Sequence, residues 1–104
     1  MEDNCMNIKI HSLRFSADKK LEDFIETRIE KLGRHQDRII GAEVILRLDK
    51  SHDTENKVAE IKIEIPGSDI FAKKQSRSFE AATDLAVDAL KRQLKKYKEK
   101  SRSK

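Results

Sequence analysis

The sequence is poor in the residues that most often mark chemistry: one cysteine, one proline, three glycines and no tryptophan in 104 residues. Each shortage excludes something. With Cys5 alone, no intrachain disulfide can form, and a single thiol near a terminus fits a reducing compartment. Three glycines cannot build a G-x-G fingerprint or a Walker phosphate loop. No run of eighteen apolar residues is present, so no spanning helix is expected. The opening Met1-Glu2-Asp3-Asn4 is acidic with no apolar segment behind it, which is not a secretory signal. The expected location is the cytoplasm. The three histidines, His11, His35 and His52, lie far apart and show no ligand-pair spacing, so neither a metal site nor any cofactor is expected. Carboxylates such as Asp84 and Asp88 recur at i, i+4 on a solvated helix face, where pairing of Asp88 with Arg92 accounts for them better than acid/base work. The chain reads as a binding protein and not an enzyme, with no small-molecule substrate.

What is abundant is charge. Forty per cent of residues are charged and 37% hydrophobic, with a formal net charge of +4. Segments 1–15 and 16–40 each sum to zero, 41–75 to −1, and 76–104 to +5. From Lys91 onward there are eight positive charges and one negative, Glu99. An excess confined to one end points to a polyanionic partner, nucleic acid before an anionic membrane surface.

The apolar residues are ordered enough for one folded domain, and a chain of this length buries roughly 65% of its unfolded surface. Met6, Ile8 and Ile10 alternate with polar residues as in a half-buried strand. Ser16 then stands as candidate N-cap of a helix whose stripe is Leu21, Phe24, Ile25, Ile29 and Leu32. Gly33 could cap its end, or the helix could run through His35. Ala42, Val44, Leu46 and Leu48 mark a second strand. Ala59, Ile61, Ile63 and Ile65 mark a third, with Val58, Glu60, Lys62 and Glu64 on its outer face. Pro66-Gly67 makes a turn, and Ile70, Phe71 and Ala72 make a shorter fourth strand. After Ser76 or Ser78 as N-cap, Phe79, Ala82, Leu85, Ala86, Ala89, Leu90, Leu94 and Tyr97 follow a helical period, and residues 100–104 are expected to fray. The fold class is therefore α+β, a two-layer β-α-β-β-β-α arrangement. A four-stranded sheet carries both helices on one face. Its other face stays wet and carries Lys9, His11, Glu43, Arg47, Glu60, Lys62 and Glu64.

The strongest functional signal is the basic end of the last helix. Leu94 and Tyr97 hold one side on the core, which leaves Lys91, Lys95 and Lys98 on one flank and Arg92 and Lys96 on another. Cations on both flanks can straddle successive phosphates, although a solubilising helix end that complements the dipole would carry the same charges. A second group, Arg28, Lys31, Arg34, His35 and Arg38, lies near the end of the first helix, interspersed with Glu26, Glu30 and Asp37. If the helices are parallel neighbours, the two groups form one patch. Phe15, Phe24, Phe71, Phe79 and Tyr97 are read as core or near-core residues. That leaves no stacking platform on the outer sheet face and favours recognition of RNA backbone and shape over stacked single strands.

These features come together in a family resemblance. MNIKIHS at the start, LEDFIETRIEKLGRH followed by DRI, EIKIEIPG, and above all AATDLAVDALKRQLKKYKEK resemble the ribosome hibernation-promoting factors, also called the ribosome-associated inhibitor or sigma-54 modulation family. The resemblance runs from Met6 to about Lys100. It implies a single ribosome-binding domain over 6–100, with flexible ends at 1–5 and 101–104, and a fold similar to double-stranded RNA-binding domains. It also implies that the protein silences translation in starvation or stationary phase. It would do so by binding the 30S subunit, alone or within the 70S ribosome, between head and body over the decoding region, gripping 16S rRNA and excluding messenger and transfer RNA. The contacts so implied are Lys91, Arg92, Lys95, Lys96 and Lys98, with Arg28, Lys31, Arg34, His35 and Arg38 on the first helix. Gln36 departs from the aromatic residue that the family often has there. Long family members carry a second domain that pairs ribosomes. A chain that stops at Lys104 reads as the short form, monomeric when isolated. The competing reading, from the older family name, is a protein-interaction modulator of the transcription machinery. Salt-sensitive co-sedimentation with ribosomes separates the two, since protein-mediated binding would survive high salt.

Overall fold

The computed structural model describes residues 7–13, 17–35, 39–50 and 54–102, with the side chains of 34–35 and 97–102 outside that description. The elements follow the expected order: β1 (Asn7–Ser12), α1 (Lys19–His35), β2 (Gly41–Leu48), β3 (Lys57–Ile65), β4 (Ser68–Ser76) and α2 (Phe79–Arg102). The strands form one sheet in the order β1-β2-β3-β4. β1 pairs parallel to β2, from Asn7 opposite Gly41 to Ser12 opposite Leu46. The other two pairings are antiparallel, which gives the expected meander of β2, β3 and β4.

Period-two alternation sets the two faces of the sheet. Ala42, Val44 and Leu46 on β2, Ala59, Ile61, Ile63 and Ile65 on β3, and Ala72 on β4 are buried in one core cluster. They meet Leu21, Ile25, Ile29 and Leu32 of α1, and Phe79, Ala82, Ala86, Val87, Leu90 and Leu94 of α2. Ile8 and Ile10 pack against this cluster half-buried, because β1 is an edge strand. Met6, Phe15, Ser16 and His52 lie outside the described residues.

The helix starts differ in how closely they match the sequence reading. In α1 the cap is Asp18, whose Oδ1 accepts from the Leu21 N–H at 2.9 Å while its carbonyl accepts from Glu22. An aspartate at N-cap also faces the positive end of the helix dipole. In α2 the cap is Ser78, whose Oγ accepts from the Ala81 N–H at 3.1 Å, and Ser76 belongs to β4. Helix α1 continues through Gly33 to His35, and α2 continues to Arg102, into the segment expected to fray.

Three expectations are corrected. β4 has nine residues, because Gly67 at φ 79° closes a two-residue turn after Pro66 and lets Ile65 pair with Ser68. Phe71 is 51% exposed on the outer face, since Ile70 and Ala72 take the inward positions. Leu85 is 49% exposed, and Val87, at i+8 from Phe79, occupies the stripe instead. Val58 sits on the outer face yet is fully buried, between Arg47 and Gln75 on the neighbouring strands, whose long stems can shield apolar surface.

The outer face is otherwise charged, and five of its charged or titratable side chains are paired with one another. Glu43 bridges His11 at 3.2 Å and Lys62 at 3.7 Å, and Arg47 bonds Glu60 at 2.8 Å. No described helix is long and apolar enough to cross a membrane.

Ile61, fully buried on the central strand β3, tests the core. Ile61→Ala is expected to cost about 2–5 kcal/mol in urea denaturation, whereas exposed Lys96→Ala should change stability by less than about 0.5 kcal/mol.

Candidate nucleic-acid interface

The directions of the strands fix the directions of the helices. β1, β2 and β4 run the same way and β3 runs against them. α1 leaves the end of β1 and returns to the start of β2, while α2 leaves the end of β4 and runs back over the sheet. The helices are therefore parallel neighbours, and the basic end of α1 lies beside the middle of α2, where its basic half begins at Lys91. Side chains confirm the alignment. Arg28 of α1 bonds Asp84 of α2 at 2.7 Å, and a groove of about 470 Å³ between the helices is lined by Arg28, Lys31, Asp84, Leu85, Asp88 and Lys91. The condition for one continuous patch is met.

Within this patch the cations are not equivalent. The Arg28 guanidinium lies 4.5 Å over the Phe24 ring while it bonds Asp84, so it is held from two sides. Arg92 bonds Asp88 one turn back on its own helix, at 2.6 Å, as the spacing implied. Lys31, Lys91, Lys95 and Lys96 are exposed and have no ion pair to any described residue. Lys31 and Lys91 line the groove from opposite helices, Lys95 continues the Lys91 flank one turn on, and Lys96 shares the Arg92 flank. Of the other residues named from sequence, Arg34, His35 and Lys98 lie on helical backbone with undescribed side chains, and Arg38 and Gln36 lie outside the described residues.

The groove is graded along its length. Asp84 and Asp88 occupy the half nearer the start of α2, and Lys91 follows. A polyanion meets repulsion at one end and free ammonium groups at the other. Among the described residues no group of three or more His, Cys, Asp or Glu could hold a metal. Sequence reasoning missed the Arg28–Asp84 strut, which joins residues 56 positions apart. It also missed Gln93, whose side-chain amide donates to the Phe71 carbonyl at 2.8 Å and ties α2 to β4.

The family model described as "Sigma 54 modulation protein / S30EA ribosomal protein" matches residues 8–102. The chain belongs to this family. A ribosome hibernation promoting factor of Azotobacter vinelandii is 34% identical over 95 residues, covering 91% of this chain and 85% of that protein. One from Pseudomonas putida is 32% identical over 98 residues, covering 94% and 92%. A ribosome hibernation promotion factor of Bacillus subtilis is also 32% identical, but this chain covers 50% of its length. Among solved structures, the N-terminal domain of Protein Y from Thermus thermophilus superposes with a TM-score of 0.77 at 30% identity, covering 88% of this chain and 99% of that one. A ribosomal subunit interface protein from Coxiella burnetii superposes at 0.80 with 25% identity, covering 89% and 98%. The two-layer β-α-β-β-β-α fold is thus that of the S30EA family.

Because both partners of the Arg28–Asp84 bridge are partly exposed, Asp84→Asn should change stability by no more than about 1 kcal/mol. It should also raise the salt concentration needed to elute the protein from heparin, since a repulsive charge leaves the groove and Arg28 is released. Earlier elution would show that Asp84 serves the interface chiefly by holding Arg28 in place.

Proposed function

We propose that this protein is a ribosome hibernation factor. It acts in the cytoplasm as a monomeric, non-catalytic domain spanning residues 6–100. It binds the 30S subunit, alone or in the 70S ribosome, near the decoding region and excludes messenger and transfer RNA, so that translation stops in starvation or stationary phase. The observation that carries this reading is the meeting of the basic end of α1 with the start of the basic half of the parallel α2, in a chain that matches relatives named as ribosome hibernation promoting factors over nearly its whole length. In this reading Lys31, Lys91, Lys95 and Lys96 grip 16S rRNA phosphates directly, as do Arg34, His35, Arg38 and Lys98 around them. Arg28 and Arg92 reach phosphate by exchanging a carboxylate partner for it, which makes them weaker contacts. No cofactor takes part. Binding rests on counterion release, so log affinity falls with log salt by roughly 0.7–0.9 per phosphate contact.

The test is co-sedimentation with small subunits in the presence of transfer RNA. Wild-type protein should be displaced by P-site transfer RNA, and Lys95→Glu with Lys96→Glu should abolish binding with the fold intact, since both side chains are exposed and neither lies in the last turn of α2. The control, Lys9→Glu with Lys62→Glu on the outer sheet face, makes the same charge change and should bind nearly as wild type once circular dichroism shows it folded. Equal loss in both variants, or full joint occupancy with P-site transfer RNA, would sink the reading.

A further inference from the structure

The sheet has an edge that the proposed function does not use. β4 is its last strand, nine residues long, and the turn at Pro66-Gly67 decides which backbone groups face outward. In a two-residue hairpin the flanking residues, here Ile65 and Ser68, exchange hydrogen bonds. Alternation then turns the N–H and C=O of Ile70, Ala72 and Lys74 toward β3, and those of Asp69, Phe71, Lys73 and Gln75 toward the open edge. Two observed bonds agree with this phase. Glu64 on β3 accepts from the Ile40 N–H on the side away from β4, and the Phe71 carbonyl accepts from Gln93, not from β3.

An edge of this length is a template for another strand, and its side chains say which. If a two-fold axis passes through Phe71, antiparallel pairing sets Asp69 opposite Lys73 of the second copy, twice, and Phe71 against its own mate on the outer face. Ile70 meets Ala72 on the other face. Asp69 and Lys73 are exposed with no ion pair to any described residue, and Phe71 is the large exposed apolar side chain between them. Nucleic acid fits the same surface poorly. The outer-face neighbours of Phe71 are Asp69, Glu60 and Glu64 against Lys73 and Lys62, and Lys62 already faces Glu43.

We propose that the β4 edge is a latent self-pairing surface whose partner is β4 of a second copy of this chain, and that Gln93 holds it shut by occupying the Phe71 carbonyl. Gln93 lies on the flank of α2 beside the edge, and its amide lies where the incoming Phe71 N–H would donate. The device keeps an otherwise self-complementary edge from joining two sheets into one of eight strands.

Sedimentation equilibrium tests it. Gln93→Ala should dimerise more tightly than wild type by roughly ten- to a hundredfold, since each of the two copies no longer has to give up a hydrogen bond to its Phe71 carbonyl. Adding Lys73→Asp should abolish the gain, and adding Asp69→Lys as well should restore it. A gain indifferent to these charges, or no gain at all, overturns the proposal. A second readout does not depend on Gln93. In a Cys5→Ser background, Phe71→Cys should form an intermolecular disulfide under mild oxidation, since residues facing each other at such a position have Cα atoms about 5.5 Å apart. Lys62→Cys, facing β4 of its own chain, should not. Equal cross-linking of both, or Phe71→Ala losing affinity for a single-stranded oligonucleotide with self-association unchanged, would contradict the pairing and assign Phe71 elsewhere.

Discussion

The parallel pairing of β1 with β2 constrains everything above the sheet. A parallel pair needs a crossover, and the crossover here is α1, which must run back along the sheet to reach Gly41. Gly41 marks how closely β1 approaches the start of β2, since a Cβ there would stand 3.0 Å from the Asn7 carbonyl oxygen. The hairpins from β2 to β4 then make α2 descend in the same direction.

Because Arg28 meets Asp84 and the helices are parallel, the α1 C-terminus at His35 lies level with about Lys91, and its negative dipole end favours cations there. The fold thus has its own reason for basic residues at this end, and fold stability and anion binding draw on the same charges. The distribution of carboxylates separates the two roles. On the outer sheet face Lys62, Arg47 and His11 are matched with Glu43 and Glu60, while Lys9 and Lys73 stand apart from each other with no ion pair to a described residue. On the helix layer Asp84 and Asp88 match Arg28 and Arg92, and the lysines beyond them are left without described partners. A fold that needed only dipole compensation could have paired them too.

Most of the architecture was legible because it rests on local periods. The strands followed period two and the helices period 3.6, and both pointed to one shared face. The errors came where residue identity was allowed to override phase. Leu85 and Phe71 were placed inside because they are large and apolar, although Val87 and the pair Ile70 and Ala72 hold the inward positions. Ser16 drew notice as a cap, but Asp18 stands one residue before the helix and its carboxylate accepts from the Leu21 N–H. The long-range features were not legible. Nothing local ties Arg28 to Asp84 or Gln93 to the Phe71 carbonyl, since both depend on which elements lie side by side. The basic patch was readable as two segments, and only the parallel helices make it one.

The claim that the helix layer, and not the sheet, faces ribosomal RNA is tested most directly by lysine modification read by mass spectrometry, with and without saturating 30S subunits. The account predicts that Lys31, Lys91, Lys95 and Lys96 become protected on binding while Lys9 and Lys62 stay reactive. Protection of Lys9 and Lys62 with the four helix lysines still fully reactive would contradict it.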